Sequence, residues 1–213
     1  MIPEGKCFPP NSHLSQWIAA QFPQGYRGWA VDVGASDGIS INTTFVLEKS
    51  FLWSVLSVEA NPDFEKTLKL ARMWVEMCAC ASEPQDEAVF HIHEQNPESY
   101  SALLPIPGEA MSGGDWSKTD LRKMSWKEAK VRVKTVGQLL EKWEFPRLDA
   151  LTVDVEGGEL DVLKGCDLKK WKPKVVITEC WHHVSPIDTY LEALGYKKTA
   201  RNVYNDLFVL EAS

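Results

Sequence analysis

Residues 29–38 have the sequence WAVDVGASDG, and this stretch decides the fold class. Its first half, Trp29 to Val33, is short, mostly apolar and partly β-branched, which predicts a buried strand. Gly34 then permits a tight turn, and Gly38 lets the main chain approach a ligand closely. Thr43 to Lys49 has the pattern of a helix. This order of strand, glycine turn and helix begins an alternation that continues along the chain.

Strands and helices alternate through most of the sequence. Apolar runs predict further strands at Ser54–Val58, Trp74–Cys80, Val89–His93, Val131–Val133, Ala150–Val153, Val175–Thr178, Tyr196–Thr199 and Val203–Leu210. Helical spacing is present at about 12–22, after the Asn61–Pro62 start, and at 136–143, 158–163 and 187–194. The alternation predicts an α/β protein with a mostly parallel sheet and helices on both faces. Only three residues join the last two strands. They are too few for a crossover, so an antiparallel strand is expected at one edge of the sheet.

Composition and charge exclude several classes of protein. The 213 residues predict one domain, 1–213. A net charge of −7 argues against nucleic-acid binding, which relies on clustered cations. The sequence contains no apolar run of about 18 residues, so neither a membrane span nor a signal peptide is predicted. Five cysteines without CxxC pairs favour reduced thiols and a cytoplasmic protein.

The periodic pattern is interrupted between Gln95 and Lys130. Several prolines and glycines lie in this segment, together with Tyr100, Trp116 and Trp126. Long aperiodic segments in compact domains are usually functional or disordered. The aromatic residues favour a substrate-binding lid at about 95–130, and a disordered insertion is the alternative.

The glycine turn and an acidic residue one strand later predict a nucleoside site. Ligands of such sheets bind beyond the carboxyl ends of the strands. Glu59 ends the second strand, 21 residues after Gly38, and an acid at this spacing accepts hydrogen bonds from ribose hydroxyls. A dinucleotide site requires G-x-G-x-x-G, but residue 36 is Ser and residue 39 is Ile. The pattern therefore favours S-adenosylmethionine, although two glycines that only shape a turn are the alternative.

Acidic residues also follow a strand in the second half of the chain. Asp154 and Glu156 lie where the predicted strand Ala150–Val153 ends. Two carboxylates at one cleft repel each other unless a cation lies nearby or one is protonated. A sulfonium group is such a cation. Asp161 fits the first turn of a helix, where acids complement the helix dipole, and Glu159 is compatible with either role.

Three segments resemble the FkbM-type methyltransferases. They are DVGASDGISINTTFVLEK at 32–49, SVEANPDFEKTL at 57–68 and VDVEGGELDVLKG at 153–165. The resemblance covers roughly residues 28–180 in order. It implies a Rossmann-like class I fold with a seven-stranded sheet. It also implies S-adenosylmethionine as donor and O-methylation of a hydroxyl on a sugar or secondary metabolite. The sequence departs from the family at Thr152, where Lys is frequent, and at Gly158, where Ala or a larger residue is common.

The resemblance also assigns roles to individual residues. The methionine end of the cofactor is assigned to Asp32, Gly34, Ala35, Ser36, Asp37, Gly38 and Asn42. The ribose is assigned to Glu59, with Ala60 and Asn61 beside it, and the adenine to Ala79 and Cys80. Asp154, Glu156 and Glu179 are assigned to the transfer site, with Asp154 also facing the cofactor.

Methyl transfer to a hydroxyl requires alignment and a base that removes the proton. The candidates for the base are Asp154, Glu156 and His182 or its neighbour His183. No metal is expected, and a divalent metal held by Asp154, Glu156 and Glu179 is the less favoured alternative. The acceptor is predicted to be a small molecule or glycan. A catalytically silent S-adenosylmethionine-binding protein is one alternative, and a nicotinamide-dependent oxidoreductase is a less favoured one.

Overall fold

A computed structural model describes residues 12–94, 101–103, 125–180, 185–202 and 204–211. The helices in these residues are α1 Ser12–Ala20, α2 Phe45–Lys49, α3 Glu65–Ala71, α4 Val136–Lys142, α5 Glu159–Lys164, α6 Leu168–Trp171 and α7 Pro186–Glu192. The strands are β1 Trp29–Val33, β2 Ser54–Glu59, β3 Trp74–Met77, β4 Ala79–Cys80, β5 Gln85–His93, β6 Trp126–Lys134, β7 Ala150–Val153, β8 Val175–Glu179, β9 Tyr196–Asn202 and β10 Asn205–Leu210. None of these helices has the length and apolar character needed to span a bilayer.

Seven strands form the main sheet, in the order β3-β2-β1-β7-β8-β10-β9. The first five are parallel to one another, which confirms the mostly parallel sheet. Asp32 on β1 lies beside Ser57 on β2 and Thr152 on β7. Because the carboxyl ends of parallel strands meet at one edge, the residues that follow them face a common space.

The prediction of an antiparallel strand at the edge of the sheet is wrong: the antiparallel strand is the second from the edge. β10 pairs antiparallel with both β8 and β9, so the outermost strand is β9, which runs parallel to β8. The connection through α7 leaves one strand position open, and the short turn after Asn202 returns β10 into it. In that position β10 has a neighbouring strand on each side, and Leu207 and Phe208 are buried in the apolar clusters on opposite faces of the sheet.

The predicted strand Trp74–Cys80 divides at Cys78. Its first part is β3 in the main sheet, whereas β4 pairs with β6 in a second, three-stranded sheet of order β4-β6-β5. Residues 126–130, predicted to belong to a lid, form the first half of β6 instead. The reason is their pairing with β5, since their side chains are mostly charged and have no strand pattern of their own. Residues 101–103 of the predicted lid are also described, and Ala102 forms a bridge with His91 on β5. Residues 95–100 and 104–124 lie outside the described residues.

Helices cover both faces of the main sheet. One apolar cluster packs α4, α5 and α7 against β-strand residues such as Val31 and Val153. The other packs α1 and α2 against residues such as Ala30 and Ile177. Each fully buried aliphatic side chain contributes about 1.5–3 kcal/mol, so the two clusters hold the sheet rigid beneath the site.

Candidate active site

A large cavity lies at the carboxyl edge of the main sheet. The described part of the chain encloses about 1060 Å³ there. Its wall includes Gly34 after β1, Ala60 after β2, Asp154 after β7 and Glu179 at the end of β8. Residues far apart in the sequence therefore face one space, as the strand order requires.

Gly34 forms the turn that begins the wall. Its φ is +87°, and a Cβ there would lie 1.7 Å from the main-chain oxygen of Asp154. Only glycine fits such a position. The N–H groups of Gly34 and Ala35 donate to the carbonyl of Val58 at 2.9 and 3.0 Å. These bonds fasten the turn after β1 to the end of β2.

Asp32 is buried beneath this turn. Its Oδ2 accepts hydrogen bonds from Asn42 Nδ2 at 2.9 Å and Thr44 Oγ1 at 2.8 Å. Its Oδ1 accepts one from Thr152 Oγ1 at 2.6 Å. Asp32 therefore joins the loop after the glycine turn to β7. A buried carboxylate with this many donors is a fixed part of the wall.

Most residues assigned to the methionine end lie in the wall. These are Asp32, Gly34, Ala35, Ser36 and Asn42. Asp37 and Gly38 are not among the wall residues in the described chain. Asp37 accepts hydrogen bonds from the N–H groups of Ile39 and Ser40, at 2.8 and 2.7 Å, and so shapes the turn. Direct cofactor contacts by Asp37 and Gly38 stay predictions.

Glu59 connects the exits of β1 and β2. Its Oε2 accepts from the Ser36 N–H and its Oε1 from the Asn61 N–H, both at 2.7 Å. Burial raises the pKa of Glu59, and these N–H groups partly offset that effect. Each carboxylate oxygen retains a lone pair for a further donor, as a ribose hydroxyl would be. Asn61 itself caps the 3₁₀ turn at Pro62–Phe64 by accepting from the Asp63 N–H at 3.0 Å.

Three carboxylates come together at the other side of the cavity. Oxygen atoms of Asp154, Glu156 and Glu179 all lie within 4.8 Å of one another. Burial raises the pKa of Asp154 well above its ordinary value. The charges of Glu156, Glu159 and Asp32 add to the rise, and a hydrogen bond with Glu179 acts against it. A carboxyl group with a raised pKa is suited to accept a proton.

The same three carboxylates have the chemistry of a divalent-cation site. Hard cations such as Mg²⁺ and Ca²⁺ take oxygen ligands from Asp and Glu. Acidic groups at this spacing also occur without an ion, and no further feature of the described residues points to one. The expectation that no metal takes part therefore stays a prediction.

Glu159 has a structural role in the loop that carries these acids. Its Oε1 accepts from the N–H groups of Val155 and Gly157, at 3.2 and 2.9 Å. Glu156 between them has a φ of +59°. The side chain at the start of α5 thus closes the loop after β7 on itself. Asp161 accepts from the Ser82 N–H at 3.2 Å and links α5 to the segment after β4.

Two parts of the wall were not predicted from the sequence. Ala79 and Cys80 of β4 lie in the wall, and their contact with an adenine stays a prediction. Beside them are apolar residues of the three-stranded sheet and its surroundings, Phe64, Ala88, Phe90 and Leu103. Near the acids, the β9–β10 hairpin contributes Asn202, Tyr204 and Asn205. Phe90 follows the alternation of its strand, whereas the hairpin residues have no local signal.

The histidines divide into two groups. His182 and His183, candidates for the base, lie outside the described residues. His93 is buried on β5, where its ring meets the edge of Trp126 with centroids 5.1 Å apart. Burial lowers the pKa of His93. The described cavity wall includes neither His91 nor His93, which fits a structural role for this pair.

The sequence was also compared with models of known protein families. The sequence model of the methyltransferase FkbM domain matches residues 32–198, which is most of the chain. The chain belongs to the FkbM methyltransferase family. Comparisons with the curated proteins and with the solved structures found no match to this chain.

The family match covers the residues after β1, β2, β7 and β8 that form most of the site. It begins at Asp32 on β1 and ends at Lys198 on β9, before the hairpin residues Asn202, Tyr204 and Asn205. Of the two departures from the family, Thr152 donates to Asp32 and is 3% exposed, so it belongs to the buried support of the methyltransferase site. Gly158 precedes α5, and a Cβ there would meet Val155 Cγ2 at 3.4 Å. This is an ordinary van der Waals distance, so an alanine would fit at 158.

Proposed function

We propose that this FkbM-family methyltransferase uses S-adenosylmethionine to methylate a hydroxyl group on a sugar or a secondary-metabolite-like small molecule. The observation that carries the proposal is the convergence of three features in one cavity. These are the turn at Gly34, the carboxylate of Glu59 and the acid cluster at Asp154. We also take the main sheet to be a Rossmann-like class I methyltransferase core, on the basis of its strand order and the family match.

The chemistry of the wall residues fits this cofactor. The turn at Gly34 would hold the methionine end, Glu59 the ribose, and the apolar surface of Ala79 and Cys80 the adenine. A positively charged sulfur would lie near the carboxylate of Asp154, where opposite charge relieves the repulsion among the acids. S-adenosylmethionine, when bound, supplies a methyl group on that sulfur.

The residues of the chain contribute alignment and proton removal. Rigid strands hold both sides of the cavity, and alignment of the reacting groups contributes up to about 7–11 kcal/mol in favourable cases. Asp154 would take the proton of the acceptor hydroxyl, since a raised pKa makes its carboxylate a stronger base. Glu156 and Glu179 would orient the hydroxyl. Hairpin residues Asn202 and Asn205 would bind polar groups elsewhere on the acceptor.

Calorimetric titration tests the cofactor. The protein should bind S-adenosylmethionine and its demethylated product, and it should not bind NAD. Turnover with a panel of hydroxylated acceptors then separates an enzyme from a silent binding protein. Binding of NAD in place of S-adenosylmethionine would overturn the proposal, and binding without turnover of any acceptor would favour the silent protein.

The variant Asp154→Asn tests the proton-removal step. We expect methyl transfer to fall by roughly 10²- to 10⁴-fold, while affinity for S-adenosylmethionine is retained. The matched control is Asp63→Asn, since Asp63 is half-exposed and paired with Lys127 away from the cavity wall. A collapse of cofactor affinity in Asp154→Asn would assign this residue to cofactor binding instead.

We further propose a cytoplasmic enzyme whose partner is a small-molecule or glycan acceptor, with no nucleic-acid or membrane partner. The four cysteines in the described residues are free and buried, which supports a reducing compartment. Cell fractionation tests the location, and a shift of the enzyme to a membrane fraction would contradict it.

A further inference from the structure

Arg72 is a fully buried cation that is not among the residues predicted for the site. It follows α3 directly, and its side chain is 0% exposed. Arginine is almost never fully buried unless it is paired. Its partners therefore indicate what the charge is for.

The guanidinium group of Arg72 contacts α2, the loop 38–44 and β1, where its Nη1 lies 3.8 Å from Asp32 Oδ2. Nε donates to Glu48 Oε2 on α2 at 2.7 Å. Nη1 donates to Asn42 Oδ1 at 2.9 Å and to the Gly38 carbonyl at 3.4 Å. Nη2 donates to Thr44 Oγ1 at 2.8 Å. Arg72 thus holds both ends of the loop 38–44, which follows the glycine turn.

This loop has an irregular conformation, and Arg72 contacts it at both ends. It has no regular secondary structure between Gly38 and Asn42, and its φ values include +79° at Gly38 and +50° at Ile41. The carbon stem of Arg72 also packs on Gly38, where a Cβ would lie 2.7 Å from Arg72 Cγ. Removal of the guanidinium would leave the loop without its central partner.

Arg72 also determines which way the Asn42 amide points. Arginine has donors only, so the Asn42 atom that faces it must be the oxygen. The amide nitrogen then faces the other way and donates to Asp32 Oδ2 at 2.9 Å and to the Ala35 carbonyl at 3.1 Å. Through Asn42, the charge on Arg72 orders the floor of the cavity on the side of the glycine turn.

We propose that Arg72 is a positioning residue for the methionine end of the cofactor. It acts at one remove, by fixing the loop 38–44 and the Asn42 amide, and it does not touch the cofactor. The inference rests on the proposed use of S-adenosylmethionine. It predicts that Arg72 matters for the amino-acid part of the cofactor and not for the nucleoside, which lies on the side of Glu59 and Cys80.

The test compares two ligands by calorimetry. S-adenosylmethionine carries the amino-acid part, whereas 5′-methylthioadenosine has the nucleoside and lacks it. In Arg72→Met, affinity for S-adenosylmethionine should fall by roughly 10- to 100-fold, as expected for loss of charge-assisted hydrogen bonds, with affinity for methylthioadenosine unchanged. Arg72→Lys should show the same selective loss at smaller size, because an ammonium group cannot reproduce the fork of a guanidinium.

The matched control is Arg147→Met. Arg147 also pairs with a carboxylate, Asp149, at 2.9 Å, but it lies at the opposite edge of the sheet and is partly exposed. Both affinities should be unchanged in this variant. Thermal unfolding shows which variants fold. If Arg72→Met does not fold, Arg72→Lys and Thr44→Val, which removes the partner of Nη2, carry the same comparison.

The outcomes separate this inference from the proposed function. A selective loss for S-adenosylmethionine in the folded variants supports it. An unchanged affinity for S-adenosylmethionine, or an equal loss for both ligands, overturns it while leaving the proposed function intact. Failure of the unaltered protein to bind S-adenosylmethionine overturns both.

Discussion

At the residue scale, Gly34 occupies a position in which a side chain meets two obstacles. Its φ is +87°, and a Cβ would overlap the main-chain oxygen of Asp154. Gly34→Ala should therefore lower the free energy of unfolding by roughly 2–5 kcal/mol, from the left-handed backbone and the overlap together. It should also abolish cofactor binding. Chemical denaturation and calorimetry measure the two effects.

The control for Gly34→Ala is Gly25→Ala. Gly25 has a φ of +79°, but no atom lies within 4 Å of the position of its Cβ. Only the backbone term applies there, and the expected loss is about 1–2 kcal/mol. Equal losses in the two variants would show that the contact between the turn and Asp154 is unimportant.

The buried position of Asp154 indicates that this residue lowers the stability of the protein while serving its function. Its pKa in the folded protein is raised, chiefly by burial and by the charge of Glu156. The stability linked to Asp154 is therefore full below its ordinary pKa of 3.8 and is lost as the pH rises through the folded value. At pH 8 the free energy of unfolding of Asp154→Asn should exceed that of the unaltered protein by roughly 0.5–2 kcal/mol. The variant should therefore unfold at a higher temperature.

The pH dependence distinguishes this effect from a general one. The advantage of Asp154→Asn should vanish below pH 3.8, where the carboxyl group is protonated in both states. Asp63→Asn, at an exposed ion pair, should show no such gain at pH 8. A lower unfolding temperature for Asp154→Asn at pH 8 would mean that the ionised carboxylate stabilises the fold.

At the scale of elements, Glu76 connects β3 to both the three-stranded sheet and α4. Its Oε1 accepts from Lys134 Nζ at 3.1 Å, and its Oε2 from Lys142 Nζ at 2.6 Å and Trp143 Nε1 at 3.2 Å. Burial alone would raise the pKa of Glu76, but these donors outweigh burial and lower it. The contribution of Glu76 to stability is thus present above pH 4.5 and is lost as the pH falls through the folded pKa.

Glu76→Gln should lower the free energy of unfolding by about 1–3 kcal/mol at pH 7. The difference between variant and unaltered protein should shrink as the pH falls below 4.5. Denaturant unfolding across this pH range measures it. Glu65→Gln removes an exposed pair with Lys69 and should change stability very little. A loss in Glu76→Gln no larger than in this control would contradict the bridging role.

At the scale of the whole molecule, the charge of the cavity predicts which methyl-acceptor substrates the enzyme prefers. The acidic residues in the described wall are Asp32, Glu59, Asp154, Glu156, Asp161 and Glu179. Lys164 is the one basic side chain in that part of the wall. A cavity with this field attracts cations and repels anions. Neutral acceptors should therefore exceed carboxylated acceptors of the same size in kcat/KM, on the order of 10-fold or more at low ionic strength.

Salt dependence checks that this preference is electrostatic. Raising the ionic strength should narrow the difference, because salt screens the field of the cavity. Lys164→Gln should widen it by removing the positive charge, with little effect on neutral acceptors. A preference for the carboxylated acceptor would show that the acids are neutralised in the working enzyme, for example by a bound cation.

The sequence by itself determined the order of the elements and the residues at the strand exits. Periodicity, glycine turns and caps are properties of neighbouring residues, so β1, β2, β7 and the cap at Asn61 were predicted from local patterns. The carboxyl ends of parallel strands lie at one edge of the sheet. This rule was enough to predict that Gly34, Glu59 and Asp154 lie near one another. The family motif strengthened the same assignment.

Only the tertiary structure decided how the chain completes the cavity. The division of 74–80 between two sheets, the return of β10 inside the edge and the hairpin residues in the wall depend on contacts between segments distant in sequence. The burial of Arg72 is the clearest case, since its hydrogen-bond acceptors lie 24 to 34 residues away. An arginine at the end of a short helix is ordinarily solvated, and only packing against α2 and the loop 38–44 removes water and makes its charge part of the site.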